Sequence, residues 1–165
     1  MDIKDLINAE TLKTISEATG VDSKDVVTVL ADTLPSLMKG AGEQNSNVET
    51  AASFIEALME HGDKDSSNMS SFIKNIDVDD GAKIVKHLLG AKETATAEKA
   101  AKATGLDKKK ILKILAIAAP IIMNQLGKDA KKSSKKSSSD MGDVVTSILK
   151  NIDGDDVAKL IKVFI

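Results

Sequence analysis

Apolar positions along the chain recur at helical spacing and not at strand alternation. Leu6, Leu12 and Ile15 punctuate a first polar stretch, and Val26, Val27, Val29, Leu30, Leu34, Leu37 and Met38 a second. A three- to four-residue recurrence of this kind places apolar side chains on one stripe of an α-helix. The pattern predicts helices over about Asp5 to Ala18 and about Asp22 to Lys39, then Val48 to His61 with Ala51, Ala52, Ile55, Leu58 and Met59 inward. It predicts a further helix from Asp77, one from about Thr94 to Ala103, one from about Asp107 to Leu126, and a last one from Asp153. From Ile111 to Ile122 almost no polar face remains, so that helix is expected at the centre of a bundle.

Local punctuation supports these boundaries. Gly20 and Gly105 stand where a left-handed residue ends a helix. Asp22, Asp107, Asp77 and Asp153 stand where a side chain caps the next one. Pro35 and Pro120 fall inside the apolar patterns and predict a kink or break in each long helix. Lys128 to Ser139 is a Lys/Ser run, read as a mobile connector.

The chain repeats itself. Ala18-Thr19-Gly20-Val21-Asp22 returns as Ala103-Thr104-Gly105-Leu106-Asp107, and the register holds through Pro35/Pro120, Met38/Met123 and Gly42/Gly127, with 10 of 26 positions identical. Lys74-Asn75-Ile76-Asp77 returns as Lys150-Asn151-Ile152-Asp153, followed in each case by further acids. The expected architecture is therefore all-α, a multihelical array of two tandem pseudo-repeats joined by the connector. Residues 1–90 form one unit and 91–165 the other, within one compact domain.

Composition sharpens the picture in two places. With 3 Phe, no Trp or Tyr and no Cys, the chain lacks the residues of a β-sandwich core, a disulfide framework or a thiolate metal site, and it suits a reducing, cytoplasmic compartment. The N-terminal residues do not read as a signal peptide. The apolar run Ile111 to Met123 is shorter than the roughly 20 residues of a membrane span, which excludes membrane spanning at this level. Charge is polarised. Residues 1–90 carry 8 Lys against 16 Asp or Glu, whereas residues 91–165 carry 15 Lys against 9. Such halves suit head-to-tail self-association or attraction of a polyanion.

Candidate chemistry is sparse. Asp77-Val78-Asp79-Asp80 fails the calcium-loop pattern, because the sixth position is Ala82 and the twelfth Leu88. His61 and His87 lie near helix ends with no second ligand at helical spacing, and no phosphate loop or nucleophile elbow is present. The expectation is a non-enzyme without metal or cofactor. Ala101, Gly105, Ile111 and Ile114 have helix-turn-helix spacing, and Lys108, Lys109, Lys110, Lys113, Lys128, Lys131, Lys132, Lys135 and Lys136 form the candidate polyanion surface. Every basic residue is Lys, so bidentate reading of bases is not expected.

His87-Leu88-Leu89-Gly90, the Gly105-Leu106-Asp107 turn and Leu115 through Pro120, Met123 and Leu126-Gly127 resemble the bacterial YidB-like family of unknown function, over about residues 84–128. The resemblance implies a small multihelical array and a bacterial source, and no activity. The combined expectation is a non-catalytic protein-interaction or self-association module, with sequence-tolerant nucleic-acid or polyanion binding through the Lys-rich half as the rival.

Overall fold

The computed structural model describes residues 8–136 and 141–150. Eight α-helices and no strand occur among them: α1 (Ala9–Thr19), α2 (Ser23–Ser46), α3 (Ala51–Gly62), α4 (Met69–Lys74), α5 (Val78–Leu89), α6 (Glu93–Thr104), α7 (Lys108–Lys136) and α8 (Met141–Lys150). The protein is all-α.

α7 organises the rest. Its 29 residues span about 43 Å, and it packs against α1, α2, α3, α5, α6 and α8. From Ile114 to Asn124 every residue is buried, as expected of a helix with no polar face. The stretch Lys108–Ser133 is long and apolar enough to cross a membrane by length and composition, which exceeds the sequence-based estimate, and 78% of its most apolar window is buried within the bundle.

The capping residues read from the sequence are found in place with one exception. Gly20 and Gly105 are both left-handed, at φ 70° and 76°, and each donates its N–H to the carbonyl four residues back, Ser16 and Ala101. Asp77 accepts from the amides of Asp79 and Asp80, and Asp107 from that of Lys110. Asp22 makes no side-chain cap; only its backbone carbonyl receives the Val26 amide. The expected cap at Asp153 lies outside the described residues.

The prolines do not break their helices. Both α2 and α7 continue unbroken through Pro35 and Pro120, to Ser46 and Lys136, so the stretch from Lys128 to Lys136 is helix where a mobile connector is expected. The missing N–H of Pro120 orphans the carbonyl of Ala116. Gly81 of α5 lies directly against that oxygen: a Cβ on Gly81 would stand 1.8 Å from it. The contact brings a Cα–H to an acceptor that has lost its helical donor, and α5 covers what the proline exposes.

Close crossings recur elsewhere. A Cβ on Gly40 of α2 would meet the Leu88 carbonyl of α5 at 1.9 Å, in the last turn, where no helical donor follows. Gly62 of α3 and Gly127 of α7 face one another, and a Cβ on Gly127 would stand 2.2 Å from the Leu58 carbonyl. α3 packs Ile55, Leu58 and Met59 against the core as the spacing implies, and Phe54 and His61 widen the buried stripe to one side. Phe54, Leu58 and His61 are buried, while Ala52 is exposed, because the stripe set by Leu58 and Gly62 must meet α7.

These two kinds of glycine respond differently to substitution. Gly81→Ala drives a methyl into the backbone of α7 and is expected to destabilise by about 3 kcal/mol. Gly105→Ala meets nothing within 4 Å and bears only left-handed strain, about 1–2 kcal/mol. Urea unfolding of the two variants measures the difference, and equal losses would contradict the packing explanation.

Candidate functional site

The lysines singled out in the sequence do not form one surface. Lys108, Lys109, Lys110 and Lys113 are exposed around the start of α7. Lys128, Lys131 and Lys132 lie toward its other end, with Lys110 and Lys131 about 31 Å apart along the axis. The side chains of Lys135 and Lys136 lie outside the described residues. Several of these cations are already engaged. Lys108 pairs with Glu98 at 3.1 Å, Lys128 donates to Ser66 Oγ at 2.8 Å, and Lys131 pairs with Asp63. The last two tie the basic half to the loop after α3, in the acidic half. Lys109, Lys110 and Lys113 make no ion pair among the described residues.

Helix-turn-helix spacing at Ala101, Gly105, Ile111 and Ile114 gives the predicted helix, left-handed turn and helix. Its second helix is no recognition helix. Ile111, Ile114 and Leu115 are all fully buried, so beyond its first turns α7 presents no side to a groove.

A cleft of about 450 Å³ lies between the C-terminus of α3, α4, the start of α5 and α7. Its apolar lining comes from Phe72, Ile76 and Pro120, with Phe72 and Pro120 buried. Exposed polar groups surround these: Lys64 and Asp65 from the loop, Ser71 and Asn75 from α4 and its end, Asp77 and Asp80 from the start of α5. His61 also lines it. The size and the mix of apolar surface with a few polar groups suit a binding site.

Backbone capping places the acids. Asp77 is held by the amides of Asp79 and Asp80, and Asp65 by the amide of Ser67 at 2.9 Å, which holds its carboxyl below the usual carboxylate range. Asn124 of α7 fixes the other wall. Fully buried, it donates from Nδ2 to the carbonyls of His61 at 2.7 Å and Lys64 at 3.0 Å, satisfying the end of α3 from across the helix interface.

His61 is only 8% exposed, and its Nδ1 is buried without a hydrogen-bond partner. Burial, reinforced by Lys64 and opposed by Asp80 and Glu60, pushes its pKa below the ordinary histidine value. The sequence shows only a histidine at a helix end. The spacing of Phe54, Leu58 and His61 on one stripe is the signal that could have revealed its burial. No group of three or more His, Asp or Glu residues placed to hold a metal occurs among the described residues.

A lowered histidine pKa makes the folded state bind fewer protons than the unfolded chain, so this contribution to stability is present above the ordinary value and is lost as pH falls through the folded one. Stability is expected to decline on acidification below about pH 6.5, well above the range of the carboxylates. His61→Gln should flatten that decline in denaturant midpoints measured between pH 7.5 and 5; an unchanged slope would refute the assignment. Asn124→Leu, which leaves two carbonyls without their donor, is expected to destabilise by about 2 kcal/mol.

No curated protein and no solved structure matches this chain. A family model does, and its match runs well beyond the stretch from 84 to 128, from the start of the chain through α1 to α6 and most of α7. On that match, over residues 2–129, the chain belongs to the family of bacterial proteins of unknown function DUF937, with which the YidB-like resemblance agrees.

Proposed function

We propose that this protein is a non-catalytic, cytoplasmic module of two pseudo-repeated helical units that acts by self-association or by binding another protein through surface charge. The observation that carries this reading is the contrast between the ends of the two units. At the Gly105 turn, Lys109, Lys110 and Lys113 project from the start of α7 without ion pairs, and Lys99 and Lys102 are exposed on α6 beside them. At the Gly20 turn the corresponding positions are Thr14, exposed Glu17, exposed Lys24, half-buried Asp25 and Thr28, so five lysines stand against one lysine and two acids. Three lysines in the first two turns of a helix oppose its dipole. Retaining them without internal partners favours a role outside the chain, since solvated charge alone gains nothing from that placement. The absence of Cys suits a reducing compartment.

The same lysines favour polyanion binding as the second reading. In that case contact is limited to the tip, because the body of α7 is buried, and binding would neutralise phosphates with little dependence on sequence.

Light scattering and a DNA titration at about 20 mM and about 500 mM salt separate the readings. Self-association through charge gives a mass that rises with protein concentration at low salt and falls to the monomer at high salt, with little uptake of DNA. Polyanion binding gives a monomer that takes up DNA at low salt, with affinity falling linearly in log–log terms. A monomer at both salts that ignores DNA would defeat both.

A further inference from the structure

Resting on the self-association reading, we propose that the cleft beside His61 receives the lysine-bearing start of α7 from a second copy of this chain. The two surfaces are complementary in charge and in shape of demand. The cleft gathers the carboxylates of Asp65, Asp77 and Asp80 against the single cation Lys64. Beneath them lie the apolar surfaces of Phe72 and Pro120, both buried. A lysine side chain meets both requirements, laying its alkyl stem on apolar surface and its ammonium among carboxylates.

His61 adds an observation independent of the acids. Its ring is more than nine-tenths buried, and Nδ1 has no partner. In a neutral imidazole one nitrogen donates and the other accepts, so either tautomer leaves the buried Nδ1 with an unmet hydrogen bond in a ring that lines the cleft. Burial favours the neutral ring, and a neutral ring does not repel an incoming ammonium.

The donor surface is equally specific. Lys108 is committed to Glu98, and Lys128 and Lys131 to the loop after α3; Lys109, Lys110 and Lys113 are exposed together at one helix start and make no ion pair among the described residues, and Lys132, also exposed, stands apart from them near the other end of α7. Pro120, at the cleft, lies about 15 Å along α7 from Lys110 and about 10 Å from Lys113, and none of the three lysines forms an ion pair with a cleft acid among the described residues, so the contact is proposed between copies. It joins unlike surfaces, and such a head-to-tail contact propagates unless it closes into a ring.

Three full-length variants test this by sedimentation velocity at about 20 mM salt. One carries Asp65→Asn with Asp80→Asn, the second Lys109→Gln, Lys110→Gln and Lys113→Gln, and the third Asp79→Asn, beside the cleft but outside its lining. The first two should each self-associate at least about tenfold more weakly than the wild type. Mixed in equal amounts they should form a species of two chains and nothing larger, since each supplies one intact surface; a misfolded variant could not do so. Asp79→Asn, which removes one acidic charge beside the cleft without altering its lining, should assemble as the wild type does. If the lysine variant dissociates while the cleft variant assembles normally, the lysines dock elsewhere and this inference fails, with self-association intact. If the wild type is monomeric at every concentration and salt, the self-association reading itself fails.

Discussion

A helix that is apolar around its whole circumference has to be surrounded, and a surrounded helix must be approached closely by its neighbours. α7 imposes both demands on this chain. Nearly every residue from Ile111 to Leu126 is buried, and α3 and α5 lie against it at glycines whose smallest possible side chain would collide with main-chain atoms. Burial at this scale, at roughly 25 cal/mol per Å² of apolar surface, is the main favourable term for the bundle. Backbone proximity also lets polar groups in the interface be satisfied without water, since each carbonyl that lacks a helical donor needs one nearby.

Pro120 shows how these demands are linked. Within an isolated helix it would be a liability, removing a hydrogen bond and crowding the preceding turn. Here the freed Ala116 carbonyl meets the Cα of Gly81, and the same proline forms part of the cleft lining next to His61. Asn124, one turn further along, donates to the carbonyls that end α3. Within little more than two turns, from Ala116 to Asn124, α7 therefore presents an orphaned acceptor that α5 covers, fixes the end of α3 and lines a cleft at which the acidic half gathers polar groups around apolar surface. The candidate site is a consequence of how α3 and α5 are seated on α7.

The charge asymmetry of the sequence is partly spent inside the molecule. Lys131 with Asp63, Lys128 with Ser66 and Lys92 with Glu43 at 3.6 Å each join the basic half to the acidic one. These pairs are at the surface, and exposed pairs of this kind contribute little stability. Their effect is on what remains: among the described residues, Lys109, Lys110 and Lys113 at the start of α7 and Asp65, Asp77 and Asp80 at the cleft stand outside these ion pairs. Membership of a family with no assigned activity adds no catalytic expectation to this arrangement.

Helix type, the left-handed turns at Gly20 and Gly105, the caps at Asp77 and Asp107 and the central placement of α7 were all legible in the amino-acid order, because each depends on a residue's own conformational preference or on periodicity within one element. The short α4 was not, since six residues carry too little periodicity to register. The fates of Pro35 and Pro120, the helical course of Lys128 to Lys136 and the missing side-chain cap at Asp22 were not, since each depends on what packs alongside. His61 reads in sequence as a polar residue at a helix end, yet tertiary packing buries it, leaves its Nδ1 unpartnered and sets it in a cleft with acids from the loop after α3 and the start of α5. Local sequence sets what each segment can be; only the assembled bundle, through close approach at Gly81, Gly62 and Gly127, decides which polar groups meet, because those meetings join residues far apart in the chain, as Asn124 and His61 are, 63 positions apart.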